Sequence, residues 1–136
     1  MIKILQVLMT VVARSREANI IYFVNRDISL TDYKGNFLLV FFYPADFESD
    51  EDLLVLHKHA KRLRKQSPGC DLLACSTDSA MLHSKWVEAV RRDGLVTGAF
   101  NIPLISDKQG QLSKMFDVFD EEEGTCLRSF LIIDEK

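Results

Sequence analysis

Between Phe37 and Phe42 six apolar residues follow one another without a polar break, the pattern of a strand buried on both faces of a sheet. Tyr43 and Pro44 come next, and because proline cannot donate to a ladder the strand is expected to end there. Lys34, Gly35 and Asn36 form a turn before it. Upstream, "NIIYFVN" (Asn19 to Asn25) is β-branched and aromatic and reads as a strand, with a polar break at Asn25 to Asp27. From Ser49 the period changes. Leu53, Leu56, Ala60 and Leu63 recur at helical spacing and give one apolar face. Ser49 with Asp52 fits an N-terminal cap, and Lys58, Lys61, Arg62, Arg64 and Lys65 crowd the far end, so both ends complement the helix dipole. "SPG" stops this helix. "CDLLACST" is a second apolar strand, and "DSAMLHSKWVEAVRR" a second helix with Leu82, Trp86, Ala89 and Val90 on one side. "IPLISD" is briefly extended, and "GQLSKMFDVFD" is a short helix running into a turn. Gly124 marks a hairpin turn, and "CLRSFLIID" is a final strand.

Strand, helix, strand, helix predicts an α/β sheet with parallel crossovers. A chain of 136 residues is expected to fold as a single domain, 1–136, without disulfides or a structural metal. The formal net charge of -3 leaves no electrostatic footprint for nucleic acid. Residues 1–18 form a divergent segment whose apolar run is too short to span a bilayer. It is weakly signal-like, with Ala13 near a cleavage point, but a helix or strand packed on the domain is the simpler reading. Cytoplasmic location follows from the simpler reading, secretion from the other. The three cysteines, Cys70, Cys75 and Cys126, lack CxxC spacing, and His57, His59 and His83 make no metal-ligand pattern. No metal or cofactor is expected.

The segments "ISLTDYKGNFLLVFFYPADF", "CDLLACSTDS", "HSKW", "NIPLISD" and "RSFLIID" resemble, in order and spacing, the peroxiredoxins, specifically the typical two-cysteine type related to the alkyl hydroperoxide reductase subunit. The likeness runs from about Ile28 to Asp134. It implies a thioredoxin-like fold with a central mixed sheet flanked by helices. In that family the strand ending in Pro leads to a Thr or Ser and then, seven residues after the Pro, to the peroxidatic Cys. Counted from Pro44 these positions fall on Glu48 and Glu51. Pro44 and Arg128 remain from the catalytic set that the resemblance implies. The segment that carries the family's resolving Cys is not found before Lys136.

Peroxide reduction requires a thiolate that attacks oxygen and is recycled through a disulfide. A carboxylate does neither, so the resemblance together with Glu48 and Glu51 implies a degenerate site and a binding or regulatory role, as a homodimer or with an active peroxiredoxin. The rivals are a residual thioredoxin-dependent thiol peroxidase using Cys126 or Cys75, and an incomplete gene product without a role. Glu51 reads first as an ordinary first-turn acid tolerated in a dead site; its alternative is a retained anion that accepts N–H bonds at the helix start and pairs with Arg128. Cys126 and Arg128, two apart on one strand, should face the same way, about 7 Å apart. Cys70 reads as a structural thiol, Cys75 as a small packing residue, His57 and His59 as surface residues, and Trp86 as packing.

Overall fold

The computed structural model of the chain describes residues 7–14, 21–28, 33–98 and 100–134. The uninterrupted apolar run is β3 (Phe37–Phe42). It lies between β4 (Cys70–Ser76), parallel to it, and β8 (Ser129–Ile133), antiparallel. Beyond β4 the sheet continues through β5 (Leu104–Ser106), parallel, and then β1 (Val7–Arg14) and β2 (Ile21–Ile28), each antiparallel to its neighbour. The strand order is therefore β2-β1-β5-β4-β3-β8. Helix α1 (Asp50–Arg64) makes the crossover from β3 to β4, and α2 (Ala80–Arg92) that from β4 to β5. After β5 come α3 (Gln111–Met115) and a small hairpin of β6 (Phe119–Asp120) and β7 (Thr125–Cys126). No helix among the described residues is long and apolar enough to cross a membrane.

Apart from Phe37, the apolar residues of β3 serve two cores, because alternate side chains point to opposite faces. Phe41, with Tyr43 just beyond the strand, joins Leu53, Ala60, Trp86 and Val87 beneath the two long helices. Leu38, Val40 and Phe42 join Leu73, Cys75, Ile105, Leu112 and Cys126 on the other face. Each such large side chain taken fully from water contributes about 1.5–3 kcal/mol, which is what fixes the register of this central strand. Leu53 and Ala60 of α1 are buried, with Leu56 and Leu63 partly buried against the same core. The acidic first turn and basic last turn of α1 lie where the dipole favours them.

Three expectations change, and the segment expected as a packed helix or strand contributes a strand. The strand placed at Asn19 to Asn25 begins within the described residues at Ile21 and runs on through the supposed break to Ile28. Among the described residues β2 is the outer strand, paired with β1, where a polar residue costs a strand little because ladder bonds come from the backbone. Of the segment 1–18, Val7–Arg14 forms β1, while residues 1–6 and 15–18 lie outside the described residues. The final strand is two strands, β7 and β8, with a break at Leu127 and Arg128. The buried face of α2 is His83, Trp86, Val87 and Val90, because a polar ring with two hydrogen-bond partners can occupy a core position; of the expected face, Trp86 and Val90 are on it while Leu82 and Ala89 are half-buried. Gly124 does turn the hairpin, at φ +70 between β6 and β7.

Candidate functional site at the start of helix α1

After Pro44 the chain makes a tight turn in which Phe47 adopts φ +67 and stays exposed. Ser49 occupies the N-cap position of α1, and its carbonyl accepts the first helical bond, from Leu53 N at 3.1 Å. Its hydroxyl does not cap the helix. It accepts instead from Arg128 Nη2 at 3.3 Å, and the same nitrogen donates to the Glu48 carbonyl at 3.0 Å. Arg128 Nε lies 3.7 Å from Asp52 Oδ2. The break between β7 and β8 is what turns the guanidinium toward α1. Phe47, Glu48, Ser49, Asp50, Glu51, Asp52 and Arg128 together line an open hollow of about 280 Å³.

The pair of Glu51 and Arg128 that the alternative reading requires is not formed, and Glu51 stands as a first-turn acid. Glu51 is exposed, and its side chain makes no hydrogen bond or ion pair with a described residue. One residue along a helix is a rotation of about 100°, and it is Asp52 that this rotation brings round to the arginine. Both partners of that ion pair are 52% exposed, so it contributes about 0–1 kcal/mol. Of the residues singled out in the sequence, Glu48, Glu51 and Arg128 meet at the hollow, and Pro44, half-buried, precedes it without lining it.

A second polar group lies buried beside this turn. Tyr43 Oη donates to Asp46 Oδ1 at 2.7 Å, and Asp46 Oδ2 lies 2.7 Å from His83 Nδ1. His83 Nε2 is 3.1 Å from the Ile105 carbonyl. A carbonyl only accepts, so Nε2 carries a proton, and a further proton is shared between Nδ1 and the carboxylate. The side chains of Asp46 and His83 have no exposed surface. Asp46 N donates to Asp78 Oδ2 at 2.6 Å, and Ser76 Oγ donates to the same oxygen at 3.0 Å. Burial raises the pKa of Asp78, and burial followed by the nearby Asp46 charge raises that of Tyr43 well above the ordinary phenol value. Trp86 Nε1 donates to Asp50 Oδ1 at 2.8 Å, joining α2 to the first turn of α1. The sequence offered only a hint of this network: an Asp shortly after an apolar strand, and a His on the apolar side of a helix. His57 is also no plain surface residue, because its ring stacks on Phe100 at 5.0 Å and Nδ1 accepts from Asn101 N at 3.0 Å. His59 is exposed, as expected.

The cysteines lie elsewhere. Cys70, at the start of β4, is half-buried, and its pKa is raised, first by burial and then by Asp71. Cys75 and Cys126 are both buried, and their sulfurs lie within 4.8 Å of each other and of an Asp107 carboxylate oxygen. The contact with Cys75 lowers the pKa of Cys126, helped by Ser113, whereas burial raises that of Cys75 well above the thiol range. The expectation that Cys126 and Arg128 face the same way fails, since Cys126 is 1% exposed in the core and the Arg128 side chain 52% exposed at the hollow. The strand break between them supplies the rotation.

Two groups have metal-ligating atoms close together, Asp46 with Asp78 and His83, and Cys75 with Asp107 and Cys126. In the first, both Asp46 oxygens and both His83 nitrogens are already engaged by protein partners. In the second, Asp107 Oδ1 accepts from Leu112 N, and Oδ2 from Ser113 N and Oγ, at 2.8 to 3.1 Å. Those bonds start α3.

A model of the AhpC/TSA family matches residues 17–136. The chain belongs to this family. Among its relatives, Peroxiredoxin-4 of Dictyostelium discoideum is 39% identical over 113 residues, covering 82% of this chain and 42% of the relative. Peroxiredoxin 2 of Drosophila melanogaster is 38% identical over 115 residues, covering 83% and 58%. The chain thus spans about half the length of these curated relatives. Among solved structures, Enterococcus faecalis AhpC superposes with a TM-score of 0.72 at 27% identity, covering 98% of this chain and 73% of that one. The reduced 2-Cys peroxiredoxin of Plasmodium vivax gives 0.70 at 27% identity, covering 94% and 73%. The fold is accordingly the thioredoxin-like fold of the peroxiredoxins, and the mixed sheet flanked by helices agrees with it.

Proposed function

We propose that this member of the AhpC/TSA family has lost the family's peroxidase chemistry and acts by binding, as a regulatory subunit that associates with itself or with an active peroxiredoxin. The observation that carries this reading is the composition of the hollow at the start of α1. Carboxylates stand at Glu48, Asp50, Glu51 and Asp52, and Arg128 is occupied by a carbonyl, a hydroxyl and Asp52. None of the seven lining residues carries sulfur. A carboxylate cannot accept an oxygen from a peroxide and pass the oxidation on as a disulfide.

The binding half of the proposal is supported by β8. It is the outer strand of the sheet beside β3, with Phe130 60% and Ile132 65% exposed on it. An exposed apolar edge strand is a ready template for pairing with another chain. Sedimentation of the pure protein, alone and mixed with an active two-cysteine peroxiredoxin, tests the role. A self-associated or mixed species is expected, weakened by Phe130→Lys; monomers in both experiments would remove the binding-subunit reading.

A further inference from the structure

Cys75 and Cys126 come from distant parts of the chain, and nothing in their spacing joins them. The fold does so by laying the β6–β7 hairpin over the sheet face to which Cys75 contributes, so that the two residues pack in one buried cluster. Their sulfurs are within 4.8 Å of each other. A disulfide needs about 2 Å between sulfurs and a Cα separation of roughly 4.4–6.8 Å, an approach that side-chain rotation and a small movement of a two-residue strand can supply. The neighbouring Asp107 does not turn the pair into a metal centre, since its oxygens are spent on the Leu112 and Ser113 donors.

We propose that Cys75 and Cys126 form an oxidation site, a buried dithiol that a small hydroperoxide converts to an intrachain disulfide tying β7 to β4. The Cys126 thiolate attacks one peroxide oxygen, the O–O bond breaks, and the leaving oxygen takes a proton to depart as water or an alcohol. The resulting Cys126 sulfenic acid is attacked by the Cys75 sulfur. The S–S bond forms as the S–O bond breaks, and the hydroxide leaves as water with the Cys75 proton. Two thiols and one hydroperoxide thus give one disulfide, one water and one further water or alcohol. The oxidant is required to be small because neither residue is more than 1% exposed. Its entry route is the hairpin, held by two residue pairs, Phe119 with Cys126 and Asp120 with Thr125, around an exposed acidic tip. So short a ladder opens locally without global unfolding. The same burial shuts out a protein reductant, so the reaction is a single event per chain, not a cycle, and it stands apart from the binding role proposed above. Cys126 lies two residues before Arg128, so the crosslink would also fix the segment that sets the guanidinium over the start of α1.

The test uses the full chain carrying Cys70→Ser, which removes the half-buried third thiol. The reduced protein is exposed to hydrogen peroxide, quenched with an alkylating agent in denaturant and mapped by peptide mass. The expected product is a Cys75–Cys126 linked peptide with no free thiol, reversed by dithiothreitol, together with slower amide exchange over residues 119–126 in the oxidised form. Adding Cys126→Ala should abolish the linked peptide while circular dichroism shows the fold retained; if that variant does not fold, the exchange difference in the Cys70→Ser protein decides. Two thiols that stay free under native conditions, or that go to sulfinic acid without a linked peptide, would overturn the proposal. So would tight retention of zinc that is lost in Cys75→Ser, which would make the cluster a metal site.

Discussion

Two polar regions a few residues apart carry very different weight. The hollow at the start of α1 holds several carboxylates and an arginine, yet its ion pair is half in water and the Glu51 side chain makes no hydrogen bond or ion pair with a described residue. The network of Tyr43, Asp46, Asp78 and His83 has fewer charges, and the side chains of its central pair have no exposed surface. Exposed charges keep their hydration whichever way they point, so the hollow can change its residues at little cost. A buried pair has given up its hydration, and either partner left alone costs the fold dearly. The fold thus needs the exposed carboxylates of the hollow less than it needs the buried network.

The largest effect that would break this contrast is expected in the network. Asp46→Leu or His83→Leu should each destabilise by about 3–5 kcal/mol in urea titration, because each strands the other's buried polar group. The double variant should cost much less than the two singles together. Next comes Trp86→Phe, which removes the donor to Asp50 and should cost about 1–3 kcal/mol. A pH effect follows from His57, whose pKa is lowered first by burial and then by Lys61. Since the folded state favours the neutral ring, its contribution is present above the unfolded value of about 6.5 and is lost as pH falls toward the folded pKa. NMR titration should show the His57 ring still neutral when a free histidine has charged, and His57→Gln should flatten this part of the stability profile. The smallest effects belong to the hollow. Glu51→Gln and Arg128→Met should each cost less than about 1 kcal/mol, with a double-mutant coupling near zero.

The frame of the fold was legible because it rests on period. Six apolar residues announced β3, and the three- and four-residue spacing of Leu53 to Leu63 announced α1. The proposed place of Glu48 and Glu51 at the family's reactive positions rests on counting from Pro44. What could not be read were facts about rotation and edges. Asp52 rather than Glu51 meets Arg128 because of one step of helical turn, and Cys126 parts from Arg128 because an apparent single strand breaks at Leu127. β2 runs through Asn25, Arg26 and Asp27 because an edge strand needs no apolar pattern to keep its ladder. His83 took a core position because Asp46 and Ile105, distant in sequence, satisfy its ring. The meeting of Cys75 and Cys126 depends on a hairpin folding back over the sheet, and no local pattern encodes that.

The most direct measurement of whether the start of α1 retains chemistry is steady-state consumption of hydrogen peroxide by the pure protein with thioredoxin and its reductase. On the proposed reading, in which Glu51 stands at the family's attacking position and Cys75 and Cys126 are out of reach of a protein reductant, consumption should stay at the background rate after no more than a stoichiometric first event. Sustained turnover well above background, lost in Cys126→Ser, would contradict the account and make the protein a thiol peroxidase.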